Sequence, residues 1–156
     1  MEQLKNTIAE IFDEINWKYK LHHFEDRNIF ELNLQVGDYT PTHLCIVAIH
    51  KEETFHGYEI VCTKAEKLPI KFIPNGILIA NRFNMDCSHV NCEVDDDGSI
   101  LFIKTRNIAK GINRDDLFLD INVTAEECDM NTAAMIEAAM ASNEVDLTHT
   151  CSFELF

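Results

Sequence analysis

The residues best equipped for chemistry in this chain are six cysteines, seven histidines and a run of three aspartates. Cys87-Ser88-His89-Val90-Asn91-Cys92 is the nearest approach to a metal motif. On a strand, residues two apart share a face, so Cys87 and His89 would point together and Cys92 away. Structural zinc calls for a closely spaced cysteine pair plus a second pair of ligands. The sequence offers no second pair, so these cysteines are expected to be ordinary half-buried thiols. Asp95-Asp96-Asp97-Gly98 has the composition of a calcium loop but not its spacing. An EF-hand spreads its ligands over twelve residues, with glycine at the sixth and glutamate at the last. Consecutive aspartates before a glycine predict a hairpin turn instead.

His22 and His23 precede Phe24 on an expected strand, while His43, His50 and His56 flank the expected central hairpin of Leu44–Ile49 and Tyr58–Cys62. A catalytic histidine needs a nucleophile or carboxylate within hydrogen-bond reach. No nucleophile elbow and no Cys-His signature accompanies these residues, and surface positions are expected for them. The five glycines are scattered and form no phosphate-binding loop. Asn81 and Asn84 lie near the end of an expected helix. Asn84 is expected to help end that helix and Asn81 to bond to neighbouring backbone. No catalytic, cofactor-binding or metal-binding residue is assigned, and no cofactor is implied. A small enzyme, or a metal or redox sensor built on Cys87, His89 and another cysteine, stands as the alternative.

Charge narrows the partners. Thirteen Lys and Arg against 27 Asp and Glu give a formal net charge of −14. Nucleic-acid affinity comes mostly from neutralising phosphates with cations. The nearest thing to a cationic cluster, Lys64, Lys67 and Lys71, is interrupted by Glu66. Nucleic acid and anionic membrane are therefore disfavoured, and a protein or peptide partner is favoured. The start, MEQLKNTIAEIFDEI, lacks the apolar core of a secretory signal. Apolar runs are too short to span a bilayer. A cytoplasmic protein with reduced cysteines is the expectation.

These residues must be positioned by some fold, and 156 residues suit one domain covering 1–156, with 143–156 as a tail or an added strand. Leu4, Ile8, Ile11, Phe12 and Ile15 recur at helical spacing against a polar opposite face. Phe30, Leu32, Leu34 and Val36 alternate with Glu31, Asn33 and Gln35, a half-buried strand. Residues 17–24 predict its partner, with the turn at Glu25–Asn28. Leu44–Ile49 is apolar on both faces and fits a central strand, paired with Tyr58–Cys62. A second helix is predicted from about Pro74 to Met85, although Gly76 is a poor helix residue. Residues 87–94 and 100–105 predict a hairpin around Asp95–Gly98. Thr124-Ala125-Glu126-Glu127 reads as a capping box that opens a third helix to about residue 141. Between them, Leu117-Phe118-Leu119 and Ile121 predict a short strand or an apolar loop. The expected fold is α+β, an antiparallel sheet with helices packed against it, in the order α-ββββ-α-ββ-α.

Three features resemble the YbjN-like family, whose fold is that of the type III secretion chaperones. One is the hairpin of Leu44–Ile49 and Tyr58–Cys62, followed by Leu68-Pro69. Another is the helix ending Leu78-Ile79-Ala80-Asn81-Arg82-Phe83-Asn84, similar to the family's apolar–Asn–Arg–apolar–Asn pattern. The last is the acidic turn Asp95–Gly98 feeding Leu101-Phe102-Ile103. Arg106–Val123 is longer than the family's passage into its last helix, and 143–156 has no counterpart. The resemblance implies a non-enzymatic bacterial protein, often a homodimer, that handles other proteins or acts in regulation.

Overall fold

The computed structural model describes residues 2–34, 43–50, 57–86, 89–108 and 111–142, with side chains for all of these except 2 and 43–50. In chain order they form α1 (Glu2–Glu14), β1 (Tyr19–His23), β2 (Arg27–Leu34), β3 (His43–His50), β4 (Gly57–Lys67), α2 (Ile73–Asp86), β5 (Asn91–Val94), β6 (Ser99–Asn107) and α3 (Arg114–Ala141). A 3-10 turn at Ile70–Phe72 leads into α2. The class is α+β, as the residue patterns predict. Six antiparallel strands lie in the order β1-β2-β3-β4-β6-β5.

All three helices cover one face of this sheet. Phe30 and Leu32 of β2, Tyr58, Ile60 and Cys62 of β4, Ile100 and Phe102 of β6 and Cys92 of β5 point to that face and are buried. Their period of two is what a one-sided sheet demands. α1 supplies Ile8, Ile11 and Phe12, and the Phe12 ring meets Tyr19 and Phe30 at 5.6 and 5.5 Å between centroids. The helix then stops by a left-handed cap. Asn16 takes φ 59°, its N–H donates to Asp13 O, and the Trp17 N–H reaches back to Phe12 O at 2.9 Å. This is a Schellman closure, in which the residue beyond the cap also packs on the helix; the Trp17 ring lies 5.8 Å from Phe12.

α3 is where sequence and structure part. It starts at Arg114, not Thr124, and runs for 28 residues, about 42 Å at 1.5 Å per residue. Its N-cap is Asn113, whose side chain accepts from the Asp115 N–H at 2.9 Å. Asp115 and Asp116 fill the first turn, where negative charge suits the helix dipole. Thr124 is fully buried in mid-helix, and its hydroxyl donates to Asp120 O at 2.6 Å. Glu127 accepts from the Asn131 side chain instead of closing a cap. The strand or loop expected over Leu117–Ile121 is the second and third turn of this helix, with Leu117 and Ile121 in the core.

Smaller differences have equally local causes. Of the strand expected over 87–94, residues 89 and 90 lie outside β5, which begins at Asn91, and 87 and 88 lie outside the described residues. Gly76 sits inside α2 because a Cβ there would strike the Leu68 side chain. The expected tail or strand over 143–156 also lies outside the described residues.

Candidate functional site

Among the described residues, two side-chain constellations and the two sheet edges are the places where this fold could act. The first constellation was invisible in the sequence, because its members come from β4, β6 and α3. Asp120, on the buried face of α3, accepts from Tyr58 Oη at 2.9 Å and from Arg106 Nε and Nη2 at 2.5 and 2.8 Å. Asp116, one turn earlier, stands 3.4 Å from Arg106 Nη1. Tyr58 is wholly buried, and that burial, together with Asp120, pushes its phenol well above the usual range. Asp120 likewise holds the Arg106 guanidinium more firmly protonated than usual. At neutral pH the tyrosine keeps its proton and the arginine its charge. Neither is poised as an acid or base, and the carboxylate is occupied by three donors. Chemically, the group fastens α3 to β4 and β6. Tyr58, Arg106 and Asp116 also line a cleft of about 290 Å³ together with Asn107, Ile108, Gly111 and Asn113.

The second constellation is a set of buried sulfurs beneath α3. Cys92, Cys128 and Met135 are buried, with Cys92 Sγ 3.8 Å from Met135 Sδ. Burial pushes the Cys92 and Cys128 thiols up to about 12, far from the thiolate form that a nucleophile or metal ligand requires. Nearby, Lys64 pairs with Asp129 at 2.6 Å with little exposure of either side chain, joining β4 to α3.

The residues singled out in the sequence do not converge. Cys87 and His56 lie outside the described residues. His89 is exposed, and its carbonyl oxygen accepts from Lys104 Nζ at 2.6 Å. Cys92 faces the core. His22 pairs with Glu31 at 2.9 Å and His23 with Asn28 at 2.8 Å, on the strand pair β1–β2. His43 and His50 are the two ends of β3. Among the described residues, no group of three or more His, Cys, Asp or Glu side chains could hold a metal ion. Asp95–Gly98 is a hairpin turn. The Gly98 N–H donates to Asp95 O at 2.9 Å, and Asp97 bonds to Lys67 and to the Ser99 N–H. The lysine holds the Asp97 carboxyl well below the usual carboxylate range. Lys64, Lys67 and Lys71 are not a cluster: the first two are paired with aspartates, and Lys71 lies over the Phe72 ring.

The sheet edges carry the more telling asymmetry. Asn84 does not end α2 as expected. Its side chain reaches β5, donating Nδ2–H to Cys92 O at 2.9 Å and accepting the Cys92 N–H at 2.6 Å. An amide that satisfies both the N–H and the C=O of one residue imitates a neighbouring strand, so it occupies the outer edge of β5. Asn81, expected to bond to backbone, is exposed. At the opposite side, β1 pairs with β2 from Tyr19↔Leu32 to His23↔Asn28, and its outer backbone groups meet no partner among the described residues. No helix is long and apolar enough to cross a membrane among the described residues.

No family model matches this chain, and no curated protein does. Among solved structures, an uncharacterized protein from Methanothermobacter thermautotrophicus is similar, with a TM-score of 0.57 and 14% sequence identity over 85% of this chain and 96% of that one. At that identity the likeness is one of fold.

Proposed function

We propose that the chain is a non-enzymatic protein-binding or regulatory domain of the YbjN-like kind, with a type III secretion chaperone-like fold, and that it takes an extended segment of a partner protein along β1. The observation that carries this reading is the unequal treatment of the two sheet edges. An open edge is a template for strand addition, and proteins blunt edges they do not use. Here β5 is blunted by Asn84, while the outer backbone groups of β1 meet no partner among the described residues, where the strand carries Lys20, itself paired with Glu31 of β2. Main-chain pairing would supply affinity along β1, and alternate side chains would supply selectivity. The strong negative charge fits a polypeptide partner better than a polyanion. A cytoplasmic location and a homodimer belong to the same proposal, since a second copy could use the same edge.

Proline at an outward N–H of an edge strand is tolerated by the fold but cannot donate to an added strand. The Phe24 N–H donates to Arg27 O at the hairpin end, and N–H groups alternate in direction along a strand. In the β1–β2 register the Lys20 N–H therefore faces β2 and the Leu21 N–H faces outward, so Leu21→Pro removes an outward donor. Extract from the source cell should leave a stoichiometric protein on the wild-type chain and not on the folded proline variant, as judged by circular dichroism. Equal retention on both, or nothing retained by the wild type at any salt, refutes the proposal.

A further inference from the structure

Cys45 on β3 and Cys62 on β4 stand directly opposite each other in the antiparallel ladder. Residues in that relation have Cα atoms about 4.5–5.5 Å apart, inside the roughly 4.4–6.8 Å that a disulfide spans between Cα atoms. One row of the sheet runs Leu32, Cys45, Cys62, Phe102, Cys92 across β2, β3, β4, β6 and β5. Leu32, Cys62, Phe102 and Cys92 are all buried in that row. We propose that Cys45 and Cys62 are an oxidisable pair, which a small-molecule disulfide such as oxidised glutathione converts into a cross-strand disulfide that clamps the central hairpin.

Register separates this pair from Cys92. Cys92 lies two strands from Cys62, with Phe102 between. Two strand spacings are about 9.6 Å, beyond the reach of a disulfide without backbone movement. Cys128 belongs to the helix layer that covers the sheet, where its Sγ lies 3.8 Å from the Thr132 hydroxyl, and it is close enough to Cys62 to interact with it electrostatically, which makes it the competing partner. The chemistry is two exchanges. One cysteine thiolate attacks the glutathione disulfide, forms a mixed disulfide and releases one reduced glutathione. The second thiolate attacks the protein sulfur of that mixed disulfide, forms the Cys45–Cys62 bond and releases another. Two protein thiols are oxidised and one glutathione disulfide is reduced. Cys62 is wholly buried once α3 is docked, so the exchange runs while the helix is undocked, and docking then shields the bond.

The test uses the full chain, refolded from denaturant in mixed oxidised and reduced glutathione. Remaining thiols are alkylated, and the product is mapped by mass spectrometry without reduction. The expected result is a loss of about 2 Da before alkylation, two hydrogens for one disulfide, and one dominant linked peptide joining residues 45 and 62. Native circular dichroism should be retained. Cys45→Ser should abolish that linkage while Cys151→Ser leaves it intact. Absence of the linkage, a dominant 62–128 or other pair, or a 45–62 bond found only in chains without native dichroism overturns the proposal. Mapping the wild type decides this even if the serine variant does not fold.

Discussion

Replacing Asp120 with alanine probes the joint on which the seating of α3 depends. Asp120 is 3% exposed and takes three hydrogen bonds, from the fully buried Tyr58 hydroxyl and from two nitrogens of Arg106. Its loss leaves the phenol without a partner in a dry site, which costs about 1–3 kcal/mol. It also leaves a guanidinium without its bidentate carboxylate. Breaking a buried pair from one side costs roughly 3–5 kcal/mol, but Arg106 is one-third exposed at the cleft and keeps Asp116 beside it. Water and Asp116 recover part of that cost, so the total for Asp120→Ala is about 3 kcal/mol. Tyr58→Phe removes one bond while Asp120 retains both arginine contacts, and costs about 1 kcal/mol. Urea unfolding followed by Trp17 fluorescence is a direct assay. The single tryptophan lies 5.0 Å from Phe118 of α3 and reports the docking of that helix. The expected order is Asp120→Ala well below Tyr58→Phe, with the double variant barely worse than Asp120→Ala because the two share one network. If Asp120→Ala loses no more than Tyr58→Phe, the carboxylate is not the hub of the joint.

Other perturbations test neighbouring parts of the fold. Asn84→Ala removes both bonds to the Cys92 backbone and should lower stability by about 1–3 kcal/mol. It also opens the β5 edge, so light scattering should detect concentration-dependent association that the wild type lacks; a monomeric variant of unchanged stability would contradict the edge-capping role. Alkaline pH should destabilise the fold. Cys92 and Cys128 are held near 12 in the folded state, above an unfolded value of about 8.5, so their stabilising contribution is complete below that value and declines as pH rises toward 12. Each thiol then removes up to about 1.4 kcal/mol per pH unit, and urea midpoints that stay level between neutral pH and pH about 10 would disprove the assignment. Gly98 has φ +83°, and a Cβ there would collide with the Leu68 carbonyl oxygen, whereas Gly111 at φ +97° has open space around it. Gly98→Ala should therefore cost roughly 2–3 kcal/mol and Gly111→Ala about 1; equal losses in thermal melts would mean that strain alone acts at both positions.

Periodicity by itself determined α1 and the strand pair β1–β2, because each buries one face and the repeat of its apolar residues follows directly from that; continuous apolar character marked the β3–β4 pair, Pro74 the start of α2, and turn chemistry the Asp95–Gly98 hairpin. The third helix escaped the same reading for a definite reason. Its buried stripe, Leu117, Asp120, Ile121, Thr124, Ala125, Cys128, Thr132, Met135 and Ala139, keeps helical spacing but includes an aspartate and two threonines, the threonine hydroxyls being satisfied within the helix by bonds to Asp120 O and Cys128 O. Thr124 with Glu127 imitates a start signal, while the true one, Asn113 ahead of Asp115 and Asp116, stands before residues that look like a strand. What only the tertiary structure decided lies across elements. The Tyr58–Asp120 contact spans 62 residues, and the amide of Asn84 finds β5 only once α2 has packed beside it. Local patterns encode which face of each element is apolar. They carry no information on which polar side chains from distant elements meet when those faces close together, because that depends on the relative placement of the layers.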